Sequence, residues 1–415
     1  MEKLVKNKNK RFLPVLLGTD ANAYGMARNF HQAYGIKSLA LGKIPLLETR
    51  HSKIVQVQTY EGFDTDEVFR EVLTNIADTY RPIYDNLILI ACGDRYTELI
   101  CSHKDWLSDY FIVPYIDLEL KNRLENKEEF YNICEEYGLD YPATVMLHKD
   151  DKPPFDLPFD YPIAVKASDS IEYVDLDFPG KKKAYKANSP AELEQIFSDI
   201  YGAGYTGTLI VQDFIPGDDA TMYVLNSYSD ANGKVQAMCL GHCVLEDYTP
   251  AGIGNYNAII QEGIQEVYDK YKAFLEAIGF VGFSNFDIKY DERDGRYKVF
   301  EINIRQGRSS FFTTVSGCNL VTYLVNDRIV HRQKPEVHYH NDPALWLHVP
   351  TRLVLEYAPE RVLPQIRRMM SAKKTDCTLL YDQDMTPYRR VMINRFYYQQ
   401  WKRYEDWFNK RSISD

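Results

Sequence analysis

A chain of 415 residues is long for one domain and predicts two or three, each large enough to bury a core. Hydrophobic residues at 45% and charged residues at 26% are ordinary for a globular protein and exclude wholesale disorder. A formal charge of -10 excludes nucleic acid as the main partner, because binding a phosphate backbone needs an excess of Lys and Arg.

Residues 1–11 are basic, and the apolar run after them is too short for a signal-peptide core or a membrane span, so they read as a disordered leader. From residue 12 to 123, short apolar runs (FLPVLLG, KSLALG, SKIVQVQ, NLILIACGD) alternate with helical periods over Asn22 to Tyr34 and Asp66 to Tyr80. That alternation predicts a doubly wound parallel sheet. Ligands of such sheets sit beyond the carboxyl ends of strands, here Gly18, Thr19, Asp20 and Gly93, Asp94, Arg95. Both loops are candidates for part of a substrate pocket. The first lacks the GxGxxG spacing of a dinucleotide site, and Gly25 falls within the helix start.

Asp117 to Asp140 predicts a linker and helix, with Lys127 beside the apolar stripe. In YPIAVKAS, Lys166 emerges at the end of an apolar run, where a point charge can neutralise phosphate. Gly180 with Lys181, Lys182 and Lys183 is either a basic phosphate contact, Lys182 foremost, or a solvated turn. Ser189 and Glu192 are placed for a capping box on the next helix. Leu209 to Asp219 is a strand ending in a Pro-Gly turn, and strands follow over Ala220 to Ser229 and Val235 to Leu245. His242 there reads as a satisfied sheet residue, and the Cys239, His242, Cys243 cluster does not fit zinc, because strand alternation points its members apart. An amphipathic helix spans Ile264 to Ile278.

The run from Phe283 to Ser310 predicts a β-hairpin turning at Asp294 and Gly295. Alternation puts Asn285, Asp287 and Lys289 on one face, and Glu301, Asn303 and Arg305 on one face of the partner strand. The flanking Val299, Phe300, Ile302 and Ile304 are apolar, so the polar atoms sit on a buried sheet where unpaired charge is costly. Mg²⁺ takes one or two carboxylates plus phosphate oxygens and water, which makes Asp287, Glu301 and Asn303 candidate metal ligands. Arg305 and Arg308 are candidates to face a transferring phosphoryl group. Beyond a short helix over Asn319 to Val330, His331, His338, His340 and His348 read as surface residues, and the basic, aromatic stretch RFYYQQWKRYEDWFNKR as a helix resting on the body. The seven cysteines are odd in number and irregularly spaced, so they read as reduced thiols of a cytoplasmic protein.

The run EINIRQGRSS with the preceding Asp287 resembles the metal-binding strands of the ATP-grasp ligases. LLGTDANAYGMARNF, LIACGD, VQDFIPGDD, GFSNFDIKYDERDG and FEINIRQGRSSFF, in that order, resemble the D-aspartate ligases of Gram-positive bacteria more narrowly. The resemblance implies a fold of class α/β: a pre-ATP-grasp domain over 12–123, an ATP-grasp domain of two α+β subdomains over 124–330, and a C-terminal extension over 331–415 packing on the body. It implies ATP and Mg²⁺ as cofactors, Lys127 and Lys166 as phosphate contacts, and Gln212, Asp213, Phe214 and Ile215 along the adenine. Asp218 or Asp219 would reach the ribose. The single glycine of the 180–183 stretch departs from the glycine-rich flap of many ATP-grasp proteins.

The implied activity is carboxylate–amine ligation through an acyl phosphate. Arg305, Arg308 and Lys166 would be catalytic, D-aspartate the donor, and UDP-MurNAc-pentapeptide the acceptor. No stable membrane insertion is expected, and a homodimer is allowed. A ligase for another amino acid and a non-catalytic nucleotide-binding regulator are the competing readings.

Overall fold

In β1 (Phe12–Leu17) all six residues are buried, and a run apolar on both faces can lie only in the middle of a sheet covered twice. The computed structural model describes residues 11–168, 170–182, 184–249, 252, 254–332 and 336–408. Residues 1–10 of the expected leader and Lys183 of the basic triplet lie outside them. With β2 (Ser38–Gly42), β3 (Val55–Thr59) and β4 (Asn86–Ala91), β1 forms a parallel sheet in the order β3-β2-β1-β4. The helix Ala21–Tyr34 starts where the Asp20 side chain accepts from the Ala23 N–H, and ends at Gly35 in the left-handed region. The strand order reverses between β1 and β4. The crevice of a doubly wound sheet opens at such a point, and both loops read from the sequence as pocket candidates border it.

A second sheet is small and antiparallel: β5 (Thr144–Leu147), β6 (Ile163–Ala167), β7 (Tyr185–Ala187) and β8 (Leu209–Asp213), ordered β5-β8-β6-β7. Helix Pro190–Gly202 covers it, capped by Ser189, while Glu192 reaches back to Asn188.

The large sheet contains β9 (Met222–Ser229), β10 (Val235–Glu246), β11 (Tyr256–Gln261), β12 (Gly282–Asp291) and β13 (Arg296–Asn303). Both its faces are covered. Leu225, Leu240, Phe286 and Ile288 pack on helix Gln265–Ala277, while Val224, Cys239, Cys243 and Phe283 pack with helix Ala21–Tyr34 and the C-terminal elements. The stretch from 331 onward does more than lie on this body: β14 (His338–Tyr339) pairs with β10, β15 (Leu345–Leu347) with β11, and β16 (Thr375–Cys377) with β15. Helix Pro387–Trp407 then buries Arg389, Ile393, Gln400 and Tyr404. Among the described residues no helix is long and apolar enough to cross a membrane.

His348, read as a surface residue, is 3% exposed. It lies on the loop after β15, edge-on to Phe396 at 5.6 Å, and burial with the nearby Arg308 charge drives its pKa well down. His242 is held by the Ala220 carbonyl at 2.8 Å and lies 3.0 Å from Glu262, as befits a satisfied sheet histidine.

Gly282 starts β12 at φ +95, and a Cβ there would lie 1.9 Å from the Pro114 carbonyl oxygen. Because the obstacle is backbone, Gly282→Ala is expected to cost at least about 2 kcal/mol, read as a lowered urea midpoint. An unchanged midpoint would show that the 113–115 segment moves aside freely.

Candidate active site

The hairpin forms as its alternation and Asp-Gly turn predict, with Asn285 opposite Asn303 and Asp287 opposite Glu301. One detail is invisible in the sequence. The register shifts between Asp287 and Ile288, leaving Phe300 as the extra residue of a bulge. The bulge brings Phe300 and Glu301 together onto the wall of a cleft of about 390 Å³, where Asp287, Asn303, Arg305, Arg308 and Asp94 also line it.

Within the cleft, Asp287 accepts from the Tyr256 hydroxyl at 2.9 Å, and the Asn303 Nδ2 lies 3.1 Å from the Asn285 Oδ1 and 3.4 Å from Asp287. Glu301 sits 2.9 Å from the Lys127 Nζ. Burial, then the Glu301 charge, raise the Asp287 pKa; the Lys127 charge holds Glu301 low. Two carboxylates across one rung, one of them pushed toward its neutral form, make a place where added positive charge is favoured. Among the described residues no group of three or more His, Cys, Asp or Glu could hold a metal ion. The hairpin set is two carboxylates and a carboxamide, a partial shell that suits Mg²⁺ completed by phosphate oxygens and water.

Lys127 and Lys166 converge on Glu301 from different elements. Lys127 opens helix Lys127–Glu136, and Lys166, near the end of β6, adds its charge to Glu301 and lies 5.9 Å from the Phe300 ring centroid. Phe214, just past β8, lies under Lys186 at 4.5 Å and Lys289 at 5.6 Å, at the seam between the small and large sheets, with Ile215 buried behind it.

Other expected nucleotide contacts are committed elsewhere. The Gln212 carboxamide donates to Tyr131 and Thr144 at 2.9 Å each, and Asp213 is bound by two nitrogens of Arg293, at 3.0 and 2.5 Å. Asp219, expected at the ribose with Asp218 as the alternative, is held inside the fold. It is 1% exposed, and its Oδ2 accepts from the Glu246 N–H at 2.8 Å and the Tyr248 hydroxyl at 2.7 Å. Its neighbour Asp218 is the surface member of the pair, held by Arg361. The backbone at Lys182 is fixed by Tyr173 and Tyr185 in an exposed turn.

The N-terminal loops close the other end. Arg305 pairs with Asp94 at 2.5 Å, and burial raises the Asp20 carboxyl against the Ala23 N–H and the charges of Arg305 and Arg308. Gln306 stitches the crevice to the hairpin: it donates to the Ala91 carbonyl at 2.8 Å, and its own carbonyl accepts from Asn22 at 3.0 Å. Arg308 is buried, donating to the Tyr256 carbonyl at 2.9 Å and Asn257 at 3.2 Å, while its Nε has no partner among the described residues. The sequence places Tyr256 at the end of a polar loop, Glu246 to Tyr256, suited to close approach of backbone to a substrate, but gives neither it nor Asn257 a role in the site. Their only signal was the glycine-containing loop, Gly252 and Gly254, that precedes them.

Solved structures share this architecture. An L-amino acid ligase from Bacillus licheniformis superposes with a TM-score of 0.55 at 14% identity, covering 77% of this chain and 74% of that one. The ADP complex of an N5-carboxyaminoimidazole ribonucleotide synthetase gives 0.57 at 13% identity, covering 87% and 86%. The biotin carboxylase domain of the Hydrogenobacter thermophilus 2-oxoglutarate carboxylase, solved with MgADP, gives 0.56 at 13%, covering 78% and 71%. The parallel sheet with its crevice, the small antiparallel sheet and the carboxylate-bearing hairpin together define the ATP-grasp fold. No family model matches the chain. A curated D-aspartate ligase of Enterococcus faecium (strain Aus0004) is 44% identical over 412 residues, spanning 97% of this chain and 98% of that protein. The chain belongs to the D-aspartate ligase family.

Proposed function

We propose that the protein uses ATP to phosphorylate the β-carboxylate of D-aspartate and couples the acyl phosphate to the side-chain amine of lysine in UDP-MurNAc-pentapeptide, in the cytoplasm. The observation that carries this reading is the rung of Asp287 and Glu301 ringed by Lys127, Lys166 and Arg305. Asp287, Glu301 and Asn303 would hold Mg²⁺, which supplies charge neutralisation of the nucleotide phosphates. Lys127 and Lys166 fix the phosphates at the small-sheet side, and Phe214 and Ile215 border the base at the seam. Arg305 and Arg308 stabilise the negative charge that grows on the transferring phosphoryl group and then on the carbonyl oxygen of the acyl phosphate as the amine attacks. No protein nucleophile is required: phosphate leaves as the amide forms, and the amine's proton passes to solvent. Asp94 and Asp20, beside the two arginines, are placed to select the amino-acid donor.

The regulator reading has less support, because a protein without turnover has no chemical need for the whole charge set. Phosphate release is expected to require ATP, Mg²⁺ and D-aspartate together, and mass analysis to show the pentapeptide heavier by one aspartyl residue. Equal turnover with L-aspartate, or release without mass gain, would overturn the donor or the acceptor assignment respectively.

A further inference from the structure

The last helix reaches the cleft through a chain of hydrogen bonds whose direction is fixed by chemistry. Arg308 can only donate, so the Asn257 atom facing it at 3.2 Å must be the carbonyl oxygen Oδ1. The Asn257 Nδ2 then points at the Tyr404 hydroxyl, 2.8 Å away, and that oxygen must accept. The Tyr404 proton is left for the Glu246 carbonyl, to which it donates. All the intermediates are sealed: Asn257 is 0% exposed and Tyr404 1%. Glu246 is itself pinned, since its N–H donates to the buried Asp219. On the same strand, Tyr256 holds Asp287 with its hydroxyl and Arg308 with its carbonyl. Two successive residues of β11 thus hold a carboxylate and a guanidinium of the cleft, and only the contact through Asn257 depends on the C-terminal helix.

We propose that Tyr404 is a positioning residue, which acts through Asn257 to orient the Arg308 guanidinium toward the amino-acid donor. This rests on the ligase reading above. Tyr404 touches no substrate; it dictates which end of the Asn257 carboxamide meets Arg308. Without the hydroxyl, the Nδ2 of Asn257 is left buried and unpaired, and flipping the amide to relieve it would set N–H against N–H at Arg308. The flip frees Arg308, whose Nε already lacks a partner among the described residues, from its contact with Asn257. The lysine side of the cleft, at Lys127 and Lys166, is attached to other elements and is untouched.

The test is Tyr404→Phe in the full-length protein, with phosphate release measured against D-aspartate and nucleotide affinity measured separately. An orphaned buried donor is worth roughly a factor of 10 to 100, and that loss is expected in kcat/KM for D-aspartate, with ATP affinity within about twofold. Asn257→Asp in the Tyr404→Phe background is expected to recover most of the loss, because a carboxylate still accepts from Arg308 and leaves no donor unpaired. Asn257→Leu, which cuts the link from the other side, should reproduce the split even if Tyr404→Phe does not fold. Unaltered kinetics in Tyr404→Phe, equal losses in ATP affinity and donor use, or a folded double variant with no recovery would each overturn the proposal. Failure of the ligase reading would look different, as unmodified protein that does not turn over D-aspartate at all.

Discussion

Replacing Glu301 with alanine is expected to abolish measurable turnover, a loss on the order of 10³-fold or about 4 kcal/mol of transition-state stabilisation. Glu301 is one of only two carboxylates on the rung, and its removal leaves Lys127 without its anion at 2.9 Å. Under the proposed function the surplus positive charge would help bind nucleotide phosphates, but the metal would lose one of the ligands that fix its position. Weak ATP binding should therefore survive while phosphoryl transfer does not. The Glu301 side chain is 45% exposed, so unfolding should stay near the wild-type midpoint and the loss cannot be blamed on the fold. Glu301→Gln separates charge from shape: an amide oxygen still reaches the cleft, and recovery of a few per cent of the rate is expected. Phosphate release under saturating ATP and D-aspartate checks both variants. Turnover of Glu301→Ala within about fivefold of wild type would remove Glu301 from the chemistry and overturn the proposed metal site.

The sequence announces that hairpin because three local signals agree there: the Asp-Gly turn, period-two alternation, and polar residues set among aliphatic ones. It does not announce the bulge at Phe300, since nothing in the residue types marks which strand takes the extra residue. The doubly wound sheet was legible for a related reason, in that β1 and β4 are continuous apolar runs that only a covered parallel strand tolerates. Asp219 shows what residue type leaves out, namely burial. Two aspartates stand side by side at the start of a short 3-10 turn, Asp218 capping it from the surface and Asp219 buried inside it, and nothing in the residue types says which is which. β14, β15 and β16 have two or three residues each, too few for any period, so the sheet's extension beyond residue 331 left no trace. His348 failed for a different reason: irregular spacing argues against metal binding, but it carries no information about burial.

Those short C-terminal strands matter because the loop beyond them carries Asp384, and Asp384→Ala is expected to be the most destabilising change of a polar residue in the protein. Asp384 and Arg389 are 0% and 1% exposed, with the carboxylate 3.3 Å from the Arg389 Nε. The same carboxylate accepts from the Tyr24 hydroxyl at 2.7 Å, the Ser52 hydroxyl at 2.9 Å and the Lys53 N–H. Its loss strands a buried guanidinium and three donors at once, and breaking a buried pair from one side costs about 3–5 kcal/mol. A urea midpoint lowered accordingly is the expected result. The double variant Asp384→Leu with Arg389→Met should regain much of the loss, because two apolar residues of similar volume leave no charge uncompensated. A functional consequence follows from the other bonds of Arg389, which donates to the Glu48 and Arg50 carbonyls at 3.0 and 2.9 Å and so holds the loop whose Glu48 feels the charge of Arg308. Below full unfolding, Asp384→Ala should therefore weaken D-aspartate use before ATP affinity. If ATP affinity falls first, the C-terminal segment supports the nucleotide side and the division of the cleft between its two ends is wrong.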